Sequence, residues 1–230
     1  RWPGAPLKPL KPLKRPVSRA LLAPTPTATP AGGPRVGLFG GSFNPAHEGH
    51  LHVSLEAIKR LDLDELWWLV SPQNPLKSKH GMAPFEQRLA AARRLARHPA
   101  IRVSDCEQRW HSSYSADTIE RLRRRHPRHR FVWVMGADNL ADFERWRRWQ
   151  DIFQALPIAI FDRRTYAQSA SASKPLKRFG RYRSPERAAR LLAVQHPPVW
   201  TYFYGRLHAS SASAIRAGAS GMGNERGDGR

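Results

Sequence analysis

Cysteine is nearly absent from this sequence, with Cys106 the only one in 230 residues. A framework of disulfides within the chain is therefore excluded. One thiol is typical of proteins in a reducing compartment, and we expect a cytoplasmic location. Long apolar runs are lacking too, because no stretch of the sequence has the length and hydrophobicity that a bilayer crossing needs. We therefore expect no membrane partner.

Acidic residues are also scarce, with 18 Asp and Glu against 39 Lys and Arg and a formal net charge of +21. Such an excess fits nucleic acid, anionic lipid or an anionic substrate. Much of the arginine lies on helix-like runs, such as 121–125 and 145–148, without an aromatic platform for stacking bases. We interpret it as solubilising surface and expect no specific nucleic-acid partner.

The composition divides the chain into three parts. Residues 1–34 are rich in proline and lysine, and residues 219–230 are rich in glycine, so both ends are predicted to be disordered. Between them, residues 35–218 alternate apolar strands with amphipathic helices. This alternation predicts a single α/β domain built on a doubly wound, Rossmann-like parallel sheet.

The predicted strands and helices alternate along this domain. Residues 165–183 are predicted to be a flexible loop. A doubly wound sheet binds ligands at the carboxyl ends of its strands, which is where the candidate motifs fall. The predicted strands cover 36–39, 65–71, 101–105, 131–135, 157–162 and 199–204, and the predicted helices cover 47–61, 84–97, 115–125, 142–156 and 184–194.

The first strand leads into a glycine turn with the sequence GGSFNPAHEGH. Gly40 and Gly41 permit a close backbone approach to a ligand. Asn44 is predicted to be a helix N-cap, with Pro45 as the first helical residue, because both types are favoured there. The free N–H groups and positive dipole end of such a helix suit a phosphate.

Two histidines follow the turn at a spacing of three residues. His47 and His50 would lie on one helical face beside the bound anion, and Gly49 between them leaves room for a ring or a ribose. A zinc site formed with His52 is disfavoured, because His52 points elsewhere and no fourth ligand is near in the sequence. The pattern favours phosphate binding.

This turn contains neither Gly-x-Gly-x-x-Gly nor a Gly-Lys-Ser/Thr closure. It resembles instead the His-x-Gly-His signature of the nucleotidyltransferase superfamily, and most closely that of the nicotinate-mononucleotide adenylyltransferase family. Further segments resemble family elements and follow in the family's order. They are 71–77, ending in Lys77; 114–119, YSADTI; 136–146, GADN to Trp146; 161–166, with Arg163; and 211–216, SASAIR.

The resemblance implies transfer of AMP from ATP to nicotinate mononucleotide, with Mg²⁺ accompanying ATP and no metal site of the protein's own. A homo-oligomer would be compatible with it. The implied catalytic residues are His47, His50, Lys77 and Arg216. The implied ATP-binding residues are Gly40, Gly41, Ser42, Phe43, Gly49, Gly136, Asp138, Ser211, Ser213 and Ile215. The residues implied to bind the nicotinate nucleotide are Asn44, Tyr114, Thr118, Trp146 and Arg163.

Several alternatives stay open at this point. Lys77 also fits a solvated loop lysine, and Trp146 fits a core position in the stripe that it forms with Phe143 and Phe153. A sibling enzyme would use nicotinamide mononucleotide or phosphopantetheine as acceptor. A basic nucleic-acid-binding module is a different class, and it predicts a steep dependence of binding on salt. An inactive relative is disfavoured by the intact HEGH and AIR sequences.

Overall fold

Six strands form one parallel sheet in the computed structural model, which describes residues 32–73, 81–162 and 173–205. The order across the sheet is β3-β2-β1-β4-β5-β6, and all neighbouring strands are parallel. This order confirms the predicted doubly wound, Rossmann-like sheet. The strands are β1 (Arg35–Gly41), β2 (Glu65–Val70), β3 (Ile101–Ser104), β4 (Arg130–Gly136), β5 (Ile158–Phe161) and β6 (Trp200–Phe203).

Helices cover both faces of the sheet, so the central strand β4 is apolar on both sides. In β4, Trp133 and Met135 join one core cluster, whereas Val132 and Val134 join the other. The α-helices are α1 (Glu48–Leu61), α2 (Phe85–Leu95), α3 (Cys106–Arg109), α4 (Ser115–Arg125), α5 (Leu140–Phe143), α6 (Trp149–Ala155) and α7 (Lys174–Arg178), and the 3-10 helices are Ala137–Asn139, Gly180–Tyr182 and Glu186–Val194.

The two faces are covered by different helices. Residues of α1, α2 and the 3-10 helix Glu186–Val194 form the core on one face, and residues of α4, α6 and α7 form it on the other. The segment predicted as a helix over 184–194 is thus a 3-10 helix that starts two residues later. Among the described helices, none has the length and apolar character that crossing a membrane requires.

The prediction of one helix over 142–156 is wrong. Arg148 has a φ of 56°, and this left-handed residue separates α5 from α6. Its guanidinium is held by Asp151 at 2.7 Å and by Asp117 of α4 at 3.1 Å. A left-handed residue cannot continue the i to i−4 ladder, so the helical stretch divides. Phe143 and Trp149 are nevertheless both buried, as the apolar stripe required.

The prediction of a flexible loop over 165–183 is wrong for the part that the structure describes. Residues 173–183 include α7 and the 3-10 helix Gly180–Tyr182. Leu176 and Phe179 are buried, and the ring of Phe179 stacks on Phe153 with centroids 4.3 Å apart. Two apolar residues three positions apart in a basic segment were the available signal. The short helix α3 was also not predicted.

Candidate active site

The glycine turn lies at the carboxyl edge of the sheet, where β1 ends at Gly41. Gly40 has no room for a side chain, because a Cβ there would lie 2.8 Å from Cη2 of Trp133. Phe43 follows with a φ of 46°, a conformation that is rare for a residue with a side chain. Its ring is 1% exposed and stacks on Trp68 at 4.9 Å, so packing offsets the strain. The side chain of Phe43 therefore packs in the core, and its backbone forms part of the glycine turn.

Helix α1 begins at Glu48 and is capped by His47. The predictions that Asn44 caps this helix and that Pro45 opens it are therefore wrong. Nδ1 of His47 accepts from the Gly49 N–H at 3.1 Å, and Nδ1 of His50 accepts from the His47 N–H at 3.2 Å. The two imidazoles thus fill the roles that a hydroxyl and a carboxylate usually fill in a capping box.

This capping fixes the tautomer of both histidines. Each ring accepts a hydrogen bond from a backbone N–H at Nδ1, so a neutral ring must carry its proton on Nε2. The ring centroids of His47 and His50 lie 3.9 Å apart, which confirms that the two side chains come together. The pair therefore forms a fixed set of two Nε2–H donors at the start of α1, and such donors suit phosphate oxygens.

Asn44 connects the glycine turn to the segment before α2. Its Oδ1 accepts from the Ala83 N–H at 3.1 Å, and its Nδ2 donates to the Gly81 carbonyl at 3.0 Å. An amide suits this position because it supplies a donor and an acceptor at once. Asn44 thus shapes the turn by tying it to a distant segment of the chain.

Arg88 of α2 is a further part of this edge, and no sequence motif pointed to it. The residue is 2% exposed. Its guanidinium donates to the carbonyls of Ala83 at 2.9 Å, Ser42 at 2.6 Å, Ser71 at 2.8 Å and Pro72 at 2.8 Å. Burial lowers the pKa of this guanidinium, and the group still carries a full charge because arginine stays protonated in proteins. A buried cation therefore joins the turn after β1 to the turn after β2.

The carboxyl end of β4 lies beside this turn. β1 and β4 pair from Arg35 with Arg130 to Phe39 with Val134, just before both strands end. Gly136 is required there, because a Cβ would collide with Oδ1 of Asp138. That oxygen is buried and has no hydrogen-bond partner among the described residues. The structure thus brings Gly136 and Asp138 to the same edge as the glycine turn, with an acceptor available.

Three of the residues expected to bind the nicotinate nucleotide lie on the face of the sheet covered by α4 and α6, namely Tyr114, Thr118 and Trp146. Trp146 is half-buried, and its ring lies 4.9 Å from Phe143 and 6.3 Å from Trp133 between centroids. Tyr114 is half-buried under the guanidinium of Arg147, at 4.7 Å. These contacts leave part of each ring accessible to a planar ligand.

Thr118 lies behind this surface and is fully buried. Its hydroxyl is 3.1 Å from that of Ser112. Glu107 of α3 is 4% exposed in the same cluster, and burial raises the pKa of its carboxyl to about 7, partly opposed by a hydrogen bond from Thr118. The buried side chain of Thr118 would act on a pocket only indirectly.

Six of the predicted site residues lie outside the residues that the structure describes. They belong to the segments 74–80, 163–172 and 206–230, and their predicted roles stay predictions. On either side of the first segment, Pro72 accepts a hydrogen bond from Arg88 and Gly81 accepts one from Asn44. The six residues are Lys77, Arg163, Ser211, Ser213, Ile215 and Arg216.

Comparison with known proteins shows the family to which the chain belongs. The cytidylyltransferase-like family model matches residues 38–217. A probable nicotinate-nucleotide adenylyltransferase of Caulobacter sp. (strain K31) is 50% identical over 182 residues, which cover 79% of this chain and 96% of that protein. The chain belongs to the nicotinate-nucleotide adenylyltransferase family.

Two further relatives of this adenylyltransferase family agree in sequence and in fold. A probable nicotinate-nucleotide adenylyltransferase of Rhizobium johnstonii is 47% identical over 185 residues, covering 80% of this chain and 93% of that protein. A solved Plasmodium falciparum nicotinic acid mononucleotide adenylyltransferase complexed with NaAD has a TM-score of 0.60 at 18% identity. That match covers 80% of this chain and 83% of the solved chain, and it supports the fold.

Two residues of this adenylyltransferase were not found by sequence reasoning. Arg88 bonds four backbone carbonyls, and backbone partners leave no mark in the sequence. Glu107 stands in a polar stretch that does not indicate burial. An arginine on the buried side of α2, next to Leu89 and Ala92, was the one available signal, because charged residues are seldom fully buried.

Proposed function

We propose that this chain transfers AMP from ATP to nicotinate mononucleotide, giving deamido-NAD and pyrophosphate in NAD biosynthesis. The observation that carries the proposal is the His47–His50 pair, two imidazoles with fixed Nε2–H donors at the end of a glycine turn. Membership of the nicotinate-nucleotide adenylyltransferase family supports the same reaction. The single buried thiol of Cys106 suits a reducing compartment, so we place the reaction in the cytoplasm.

The proposed reaction needs no general base from the protein. The nucleophile is the phosphate of the mononucleotide, a monoester whose second pKa near 6 leaves it mostly dianionic at pH 7. One of its oxygens bonds to the α-phosphorus of ATP while the bond from that phosphorus to the bridging oxygen of pyrophosphate breaks. Two polyanions must be held together in line, so positioning and stabilisation of charge are the main tasks.

Positive and hydrogen-bonding groups at the edge of the sheet suit those tasks. The imidazoles of His47 and His50 donate from Nε2 to phosphate oxygens, and the turn at Gly40, Gly41, Ser42 and Phe43 offers backbone N–H groups. Gly49, in the first turn of α1, leaves space for the nucleotide. Lys77 and Arg216 add positive charge, and Ser211, Ser213 and Ile215 hold the far end of the triphosphate.

The adenosine lies between β1 and β4 in this proposal. Gly136 permits a close approach of the nucleotide, and the partnerless oxygen of Asp138 accepts from a ribose hydroxyl or the adenine. The pyridine ring of the mononucleotide stacks on Trp146, next to Tyr114, and Arg163 binds its phosphate. Asn44 and Thr118 support the two sides of the acceptor site from behind.

We assign Mg²⁺ to the substrate in this reaction. Among the described residues there is no group of three or more His, Cys, Asp or Glu that could hold a metal ion. Asp138 follows β4 and has a buried oxygen without a hydrogen-bond partner among the described residues, so we would expect its carboxylate to reach the ion or its waters. When bound, Mg²⁺ would neutralise charge on the phosphate oxygens.

The test is pyrophosphate release from ATP and Mg²⁺, measured side by side with nicotinate mononucleotide and nicotinamide mononucleotide. We expect a strong preference for the acid in kcat/KM. Equal use of the two acceptors would overturn the acid preference. If the chain binds ATP but releases no pyrophosphate with either acceptor, the assignment moves to a sibling reaction.

A further inference from the structure

The buried guanidinium of Arg88 holds three separate segments at the carboxyl edge of the sheet. Its four acceptors lie in the turn after β1 (Ser42), the turn after β2 (Ser71 and Pro72) and the residues before α2 (Ala83). The distances are 2.6 to 2.9 Å, as expected for hydrogen bonds from a charged donor. This planar fork has the geometry that only arginine supplies.

Within the part of the chain that the structure describes, Arg88 forms no ion pair with a carboxylate, and its acceptors are all backbone carbonyls. Burial of a cation is costly unless it is well hydrogen-bonded. The four carbonyl dipoles satisfy the group but leave its net charge in place. A full positive charge therefore remains directly behind the turn at which we place the triphosphate.

The bond to Ser42 also fixes the direction of one peptide group. In a trans peptide, the C=O of one residue and the N–H of the next lie in one plane and point in opposite directions. With the Ser42 carbonyl directed at Arg88, the Phe43 N–H faces away from Arg88. Phe43 is the left-handed residue of the turn, with a φ of 46°, so its conformation depends on such restraints.

We propose that Arg88 is a positioning residue for ATP: it holds the Ser42–Phe43 peptide so that the Phe43 N–H donates to a phosphate, and its charge favours that anion. The proposal rests on the proposed function only in taking a nucleotide phosphate as the ligand. The role proposed for Arg88 is the same whichever phosphorylated acceptor the chain uses. It assigns a ligand-binding consequence to a residue that touches no ligand.

The first test compares Arg88→Lys and Arg88→Met with Arg93→Lys, which lies exposed on the same helix. Lysine keeps the charge but loses the fork, whereas methionine loses both. We expect the affinity for ATP and kcat to fall by about 10–100-fold in Arg88→Lys, and further in Arg88→Met. The KM for the mononucleotide should change by less than about 3-fold in Arg88→Lys. Arg93→Lys should match the wild type.

A folded Arg88→Lys variant with wild-type ATP affinity and kcat would overturn the proposal, because a purely structural arginine affects only the melting temperature. ATP binding is measured directly by calorimetry without an acceptor. The test therefore still works if the chain does not use nicotinate mononucleotide. That failure would be seen as an unsubstituted chain that binds ATP but does not turn over nicotinate mononucleotide.

A second measurement uses the wild-type chain alone, so a variant that fails to fold does not stop the test. Amide hydrogen exchange of a peptide covering 37–46 is followed with and without ATP and Mg²⁺. We expect at least about 10-fold slower exchange at the Phe43 amide when ATP is bound. Unchanged exchange at that amide under saturating ATP would contradict the proposal.

Discussion

His50 accepts a hydrogen bond of 3.2 Å at Nδ1 from the backbone N–H of His47, while His47 accepts one of 3.1 Å from Gly49. The same atoms that cap α1 thereby orient the Nε2–H of each ring. Capping uses Nδ1 of each ring, whereas the proposed phosphate contact uses Nε2 of the same ring. The two roles can be separated by substitution.

Removal of the His50 ring should reduce turnover far more than stability. We expect His50→Ala to lower kcat by about 10²-fold, the scale for loss of one preorganised donor to a developing charge. His52→Ala, two residues along α1, is the matched control and should keep nearly wild-type kcat. Steady-state pyrophosphate release measures both, and a folded His50→Ala variant with wild-type kcat would refute the role of His50.

Two substitutions of His47 should separate its role as the N-cap of α1 from its proposed role as a hydrogen-bond donor to phosphate. His47→Ala leaves the Gly49 N–H without its acceptor and should cost about 1 kcal/mol of unfolding free energy. His47→Ser restores an acceptor for the cap, so its stability should return toward that of the wild type. A serine hydroxyl is too short to replace Nε2–H, so both variants should lose about 10²-fold in kcat. Wild-type kcat in His47→Ser would show that His47 only caps the helix.

The raised pKa of Glu107 predicts a pH dependence of stability. Its carboxyl has a pKa of about 7 in the folded chain against an ordinary value of 4.5. Between these values the folded state keeps a proton that the unfolded state has lost. The free energy of unfolding should therefore fall as the pH rises through this window, by roughly 1–3 kcal/mol, and this contribution is level above it.

Glu107→Gln should remove that contribution, and the exposed Glu86→Gln should not. Urea unfolding at pH 5, 6 and 7.5 measures the difference between each variant and the wild type. The gap in unfolding free energy between wild type and Glu107→Gln should change with pH in the stated direction. Parallel curves for the two proteins from pH 5 to 7.5 would contradict the assignment.

The two glycines of the turn should differ in their tolerance of a methyl group. A Cβ at Gly40 would lie 2.8 Å from the Trp133 ring, which is 1% exposed and has little freedom to move. We expect Gly40→Ala to cost about 1–3 kcal/mol of unfolding free energy. At Gly41 the nearest atom is Cε2 of Phe43 at 3.4 Å, an ordinary contact, so Gly41→Ala should cost less than about 1 kcal/mol. Equal losses would show that the Trp133 contact does not decide the outcome.

The sequence predicted the fold best where the spacing of apolar residues matches the positions that are buried in the structure. A continuous apolar run such as FVWVM of β4 indicates a strand covered on both faces, and the motif positions after the strands followed from the topology. The cap of α1 was predicted wrongly because Asn44 is a better N-cap by residue type than His47. In the structure the Asn44 amide is instead occupied by Gly81 and Ala83.

The remaining differences depend on contacts between distant segments. The apolar stripe continues from Phe143 to Phe153, so nothing in its spacing marks the break that Arg148 makes with the help of Asp117. Arg88 could not be assigned from sequence, since its partners are carbonyls from three segments. Local pattern determines which elements form, but tertiary contacts determine where a helix breaks and which charge is buried.

The pairing of β1 with β4 has a consequence for the order in which the chain is made. Val36 pairs with Phe131, so the strand that carries the glycine turn lacks its second neighbour until β4 has been synthesised. The histidine pair and Arg88 all precede that point, whereas Gly136 and Asp138 follow it. A nascent chain that ends at β3 therefore carries the histidine pair and Arg88 but lacks Gly136 and Asp138. The carboxyl edge of the sheet is complete only when the late half of the chain has docked on the early one.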